Sequence, residues 1–134
     1  MKISNCRKIV GGEGRGPALV TTQPINFLSM VDTSTGKITD PKHELYGKSL
    51  QGAVLAYPYA IGSSVGAYSI YALAENGVAP AAIICSKADI TTASGCAIGK
   101  IPVIDLPLGT ELTMVPQGAS VHVISSAVAA MVTI

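Results

Sequence analysis

Two short apolar runs flank a stretch with helical spacing, and this arrangement restricts the fold more than any other feature of the chain. Residues 53–57 read AVLAY and residues 81–85 read AAIIC. Each run is continuous and bounded by turn-forming residues, which is the pattern of a buried strand. Between them the spacing predicts a helix from Ser64 to Asn76, with Val65, Tyr68, Ala72 and Leu73 on one face. Ser63 is placed as its N-cap. Asn76-Gly77 supplies the stop, because glycine tolerates the left-handed conformation that follows a helix. Strand, helix, strand in this order is a βαβ unit, which sets two parallel strands in one sheet.

Residues 2–10 form a strand ending at Gly11-Gly12. GGEGRG at 11–16 is a tight, flexible connection before a short strand from Ala18 to Thr22. No Lys-Ser/Thr follows its last glycine, so it is not a phosphate loop, although Arg15 could reach an anionic substrate. INFLSMV is an apolar run, and DTSTG at 32–36 is a turn. The polar loop 40–47, with Asp40 and His43 and with Lys48 just beyond it, is a solvated turn. A short helical piece at Ile90–Ala97 precedes strands at Ile101–Asp105, Ser120–Ile124 and Ala127–Thr133. Strand-rich ends around a βαβ unit make a mixed α/β fold, and 134 residues suit one domain spanning 1–134.

Charge narrows the function classes. Only 13% of the residues are charged, against about 25% in typical soluble domains. Mean hydropathy is +0.47. So little charge leaves part of the surface to be covered by a partner. The net charge is +1, there is no tryptophan and there is one phenylalanine, so nucleic acid is not expected as a ligand. The charge-free run between Lys48 and Glu75 is broken by Pro58, Gly62, Ser63, Ser64 and Gly66, which argues against a membrane span of ~20 apolar residues. The N-terminus lacks the apolar core of a signal peptide, and a cytoplasmic protein is expected. Cys6, Cys85 and Cys96 are odd in number and lack metal-site spacing, while His43 and His122 lie far from them. Buried free thiols and no metal on this chain are the expectation.

The chemistry concentrates at Gly62-Ser63-Ser64, beyond the end of strand 53–57. A helix N-terminus there carries roughly +0.5 of an elementary charge and favours an anion, including an ionised serine. Three other readings compete. Ser63 could be a cap and nothing more. The chain could be a binding module without catalysis. Or Gly62-Ser63-Ser64-Val65-Gly66 could be the G-x-S-x-G elbow of a serine hydrolase, with Ser64 as nucleophile and Asp89 or Asp105 and then His122 completing the order Ser, Asp, His. Against the hydrolase, the chain is short and shows no second glycine-rich oxyanion motif.

The order of motifs adds a further constraint. GPALV at 16–20, PI-x-FL at 24–28, VD-x-x-TG-x-I-x-D at 31–40, GSS at 62–64 and NG-x-AP-x-AII at 76–84 follow one another. From about Gly16 to Pro107 the chain resembles the small subunit of the aconitase X family. The resemblance implies the swivelling β/β/α fold of the fourth domain of aconitase. It implies a hydro-lyase subunit, active only with a large subunit whose cysteines hold an iron–sulfur cluster, of the 4Fe–4S type. The substrate implied is (R)-5-phosphomevalonate, dehydrated to trans-anhydromevalonate 5-phosphate in the mevalonate route to isoprenoids. Cis-3-hydroxy-L-proline is the alternative. By the motif match Ser63 is the base that accepts the proton. Ser64 supports it, and Gly62 and Arg15 join Ser64 as candidate substrate contacts. Val65 stands where aconitase has an arginine for a substrate carboxylate, Ile61 where many members carry a basic residue, and Ala67 at a frequent serine.

Overall fold

The computed structural model describes all 134 residues. In chain order it contains β1 (Lys2–Ile3), β2 (Arg7–Val10), β3 (Gly12–Val20), α1 (Phe27–Met30), β4 (Val54–Tyr57), α2 (Gly66–Glu75), β5 (Ala82–Cys85), α3 (Ile90–Gly99), β6 (Val103–Asp105), β7 (Ser120–Ser125) and β8 (Ala130–Thr133). The eight strands lie in the order β1-β8-β7-β3-β4-β5-β6-β2. β3, β4, β5 and β6 run parallel, and every other pairing is antiparallel.

β3 joins the two halves of this sheet, and here the expected flexible connection is corrected. Residues 12–20 form one strand of nine residues. Its first part pairs antiparallel with β7, from Gly12 opposite Ser125 to Pro17 opposite Ser120. Its last part pairs parallel with β4, from Ala18 opposite Val54 to Val20 opposite Ala56. The glycines are required because other backbone lies against the strand. A Cβ on Gly14 would sit 2.1 Å from the Ala81 carbonyl oxygen, and one on Gly16 would sit 2.1 Å from that of Gly52. Only glycine permits such an approach.

The antiparallel half folds over one face of the parallel half. Val54, Ala56, Ile84 and Ile104 of the parallel strands share a core with Val121, Val123 and Val132. The Ser125 hydroxyl donates to the Val103 carbonyl at 3.1 Å, across the two layers. The alternate residues Leu55, Tyr57, Ile83 and Cys85 face the helices and pack with Phe27, Ile70, Leu73 and Cys96. All four residues of β4, and all four of β5, are buried. That explains why these strands read as continuous apolar runs. The result is the three-layered β/β/α arrangement that the resemblance implies. The N-terminal strand divides at Asn5, where φ is 61°, so that β1 joins one layer and β2 the other.

α2 differs from its predicted form in start and rotation. It begins at Gly66, with Val65 in the cap position and no side-chain cap bond. Its buried residues are Gly66, Ser69, Ile70 and Leu73, while Tyr68 is 73% and Val65 45% exposed. The rotation follows from packing against α3. A Cβ on Gly95 would lie 2.9 Å from both the Ala67 carbonyl oxygen and the Ile70 Cβ. The two helices therefore meet through small residues, and Tyr68 is turned outward.

Candidate active site

The site is built on the loop from Pro58 to Val65, at the carboxyl end of β4. Ligands of open α/β sheets usually bind at this end. Two neighbours hold the loop. Ile25 donates its N–H to Tyr59 at 3.4 Å and accepts from Ile61 at 3.0 Å. The Ala60 N–H donates to the Asp89 carboxylate at 2.8 Å. Asp89 also caps α3 through the Thr92 N–H at 3.0 Å and accepts the Thr92 hydroxyl at 2.7 Å. Thr92 in turn meets the buried Tyr57 hydroxyl. Burial pushes the Tyr57 phenol well above its ordinary pKa, so its proton stays in place. Tyr57, Thr92 and Asp89 thus form one chain of hydrogen bonds that ends on the loop backbone.

Gly62 follows with φ at 92°. A Cβ there would lie 2.3 Å from the Asn26 Nδ2. The Asn26 side chain accepts from the Leu28 and Ser29 N–H groups at 3.2 Å each and so caps α1, bonds that it would have to strain to make room. Left-handed backbone and lack of space both call for glycine.

Ser63 and Ser64 are exposed. The Ser63 Oγ accepts from the Val65 N–H at 3.2 Å. The carbonyls of Ser63 and Ser64 accept from Gly66 at 2.9 Å and Ala67 at 3.1 Å, which makes a tight turn just before α2. Ser63 therefore caps this turn and not, as predicted, α2 itself. The Ser64 hydroxyl and the N–H groups of Gly62, Ser63 and Ser64 have no partner within the chain. A groove of about 590 Å³, lined in part by Ser64, Tyr68, Tyr71 and Ile98, continues along the outer side of α2 and α3.

The other candidates lie elsewhere. Arg15 is opposite His122, on the part of β3 that precedes its pairing with β4. Six residues separate it from Thr21, or about 20 Å along a strand, so the fold does not bring it to the serines. His122 shares that remote end and lies 3.4 Å from Glu13. Asp105 is bound to Arg7 at 2.6 Å, and Asp89 is taken up as a cap. Ser64, an aspartate and His122 therefore do not assemble, and the hydrolase reading is corrected: His122 is too remote to activate Ser64.

The loop at 40–47 is largely solvated, as predicted, with the exception of His43 and Leu45. His43 is buried, with Nε2 at 3.2 Å from the Pro24 carbonyl and Nδ1 accepting from the Leu45 N–H. Glu44 accepts from the Thr21 hydroxyl and from the Thr22 N–H at 3.0 Å, and the Thr21 bond holds its carboxyl below the usual range. The loop braces residues 21–25 and, through Ile25, the serine loop. Sequence reading missed Asn26, and it named His43 and Asp89 only in other roles. Asn26 and Asp89 each stand directly before a helix, which was the available signal.

No three His, Cys, Asp or Glu side chains converge on a metal position. Cys85 and Cys96 are fully buried, and burial raises both thiols, Cys96 to about 12. Burial also raises Cys6, in a different part of the fold. A cluster takes several thiolates at one point, and Cys6 lies against a different core from Cys85 and Cys96, so these three cysteines do not fit one. No helix is long and apolar enough to cross a membrane.

The sequence profile of the aconitase X swivel domain matches residues 3–133. The chain belongs to this family. It is similar to the phosphomevalonate dehydratase small subunit of Methanothermobacter thermautotrophicus, with 44% identity over 119 residues that cover 89% of this chain and 91% of the relative. Against the protein of the same name from Methanothrix thermoacetophila, identity is 49% over 100 residues, or 75% of this chain and 73% of that one. The fold superposes on the crystal structure of Thermococcus kodakaraensis aconitase X (holo-form) with a TM-score of 0.89 and 36% identity, covering 100% of this chain and 99% of that chain. In this swivel domain the PI-x-FL motif supplies both the Ile25 tether and the Asn26 cap, and the GSS motif supplies the turn that they hold.

Proposed function

We propose that this chain is the small subunit of a hydro-lyase that dehydrates (R)-5-phosphomevalonate to trans-anhydromevalonate 5-phosphate, in the mevalonate route to isoprenoids. The relatives of that name support the substrate. The carrying observation is the serine pair, exposed on a tethered turn at the start of α2.

Ser63 Oγ is the base. It removes a proton from the carbon beside the substrate carboxylate. The C–H electron pair becomes the new double bond, and hydroxide leaves from the adjacent carbon, so that one water is lost overall. A serine hydroxyl does this only as an alkoxide. The Val65 N–H aimed at Ser63 Oγ and the positive end of α2 both favour the charged form. The Ser64 hydroxyl and the unpartnered N–H groups of Gly62, Ser63 and Ser64 are donors for the substrate carboxylate. Gly62 gives the turn its shape. Arg15 has no part in this arrangement.

The whole chain, 1–134, acts as one swivelling domain. A large subunit covers the serines and excludes water, which strengthens each of these charge interactions. The 4Fe–4S cluster expected of the family belongs with that subunit, because this chain has no ligand set for one. The cytoplasm is its place of work, where thiols such as its three stay reduced.

The test is turnover by the complex of this chain with its large subunit. The expected result is dehydration of (R)-5-phosphomevalonate and none by either chain alone. Dehydration of cis-3-hydroxy-L-proline in its place would overturn the substrate.

A further inference from the structure

A second opening lies beside the serine loop, at the carboxyl ends of β5 and β6. It is a cavity of about 400 Å³ whose lining includes Asn5, Arg7, Ser86, Lys87 and Asp105. Asp105 is buried and engaged on both oxygens: Oδ2 accepts from Arg7 at 2.6 and 3.1 Å, and Oδ1 accepts from the Ala88 N–H at 2.7 Å. Lys87 forms no ion pair within the chain. Two cations against one carboxylate leave the lining positive, in a chain where only 13% of residues carry charge.

The cavity adjoins the serine loop. The Lys87 N–H meets the Pro58 carbonyl at 3.5 Å, and Asp89 holds Ala60. Residues 86–89 therefore lie against the start of the loop that carries Ser63. Ser86 also borders a smaller cavity of about 290 Å³, shared with Thr22 and Pro58. The opening thus continues over the ends of β3, β4 and β5. β4 and β5 are neighbours in the sheet, ~5 Å apart, and the loops that leave their carboxyl ends carry Ser63 and Lys87. A five-carbon acid phosphorylated at its far end has one anionic group to offer each loop.

We propose that Lys87, with Ser86 and Asn5 beside it, forms the subsite for the phosphoryl end of the substrate, whose carboxylate end lies at the serine turn. This rests on the reading above in taking the substrate to be phosphorylated. Lysine is an apt phosphate binder because its ammonium is a compact charge with three donors. Arg7 is a positioning residue. Held by Asp105, it adds positive field at the cavity wall and ties β2 to the loop after β5.

The test uses the assembled complex. Lys87→Ala should raise KM for (R)-5-phosphomevalonate about 10- to 100-fold, as expected for loss of a charge-assisted contact, and leave kcat within a few-fold. Inhibition by inorganic phosphate should weaken in parallel, and Lys87→Arg should restore most of both. A merely structural role for Lys87 would not move phosphate inhibition. Unchanged KM and unchanged phosphate inhibition in Lys87→Ala would overturn the subsite while leaving the dehydratase reading intact. If the complex leaves phosphomevalonate untouched, that reading falls, and the pocket is judged by titrating the full chain with inorganic phosphate. Amide shifts confined to residues 5–7 and 86–88 and lost in Lys87→Ala would uphold the subsite. Their absence would overturn it.

Discussion

Two glycine-bearing stretches look alike in the sequence and do opposite things in the fold. GGEGRG at 11–16 and GSSVG at 62–66 both read as loops. The first lies in the sheet for most of its length, with Gly14 and Gly16 pressed against the carbonyls of Ala81 and Gly52. The second is an exposed turn whose Gly62 abuts a side chain, Asn26, and takes a left-handed backbone. A missing Cβ marks close approach in both. What approaches decides the outcome: rigid backbone makes a structural seam, and a movable side chain makes a poised turn.

The largest expected effect lies in the seam. Gly14→Ala and Gly16→Ala each put a Cβ 2.1 Å from a carbonyl oxygen that cannot move alone. Each should cost about 3 kcal/mol or more of unfolding free energy in urea titration. The fraction that does fold should support normal turnover per complex. A stable Gly16→Ala variant would break the comparison.

Gly62→Ala should show the reverse pattern. The left-handed φ costs about 1–2 kcal/mol, and Asn26 can shift to make room. Thermal unfolding should therefore register a moderate loss. Turnover per assembled complex should fall much further than stability does, because the turn is displaced. Equal losses in both measures would make Gly62 another structural glycine.

A smaller effect is expected from Asp89→Asn, which removes the charge and turns one of the two accepting oxygens into an NH2 donor, so that the Ala60 and Thr92 N–H groups can no longer both be satisfied. A loss of about 1 kcal/mol is expected. Amide hydrogen exchange should speed up at residues 58–61, with β4 itself unchanged. Unaltered exchange in the loop would show that Ile25 alone holds it.

The parts of the fold that were legible in sequence are those whose signal is local. AVLAY and AAIIC are apolar throughout because both faces of each strand are covered, and a continuous run is visible in any window. The Asn76-Gly77 stop is likewise local, with Gly77 at φ 70°. The rest depends on contacts distant in sequence. Arg15 and His122 face each other across β3 and β7, so neither could be placed before the sheet order was known. The rotation of α2 is set by Gly95 of α3, which no periodicity within α2 reveals. His43 reads as a loop residue, yet it is buried under Pro24, a partner 19 positions away. At the site, the GSS motif was visible and its supports, Asn26 and Asp89, were not, because a capping residue signals a helix and not the second loop that it also touches.

The central claim is that Ser63 is the base and Ser64 its support. The direct measurement is the steady-state rate of Ser63→Ala and Ser64→Ala in the assembled enzyme, normalised to correctly formed complex. Ser63 makes one capping bond, from Val65 at 3.2 Å, so its loss should cost only about 1 kcal/mol of stability and leave assembly intact. Turnover by Ser63→Ala should fall at least ~10²–10⁴-fold, the range of a general-base contribution. Ser64→Ala should lose less, through weaker substrate binding. Near-normal turnover in Ser63→Ala, or a greater loss in Ser64→Ala, would contradict the account.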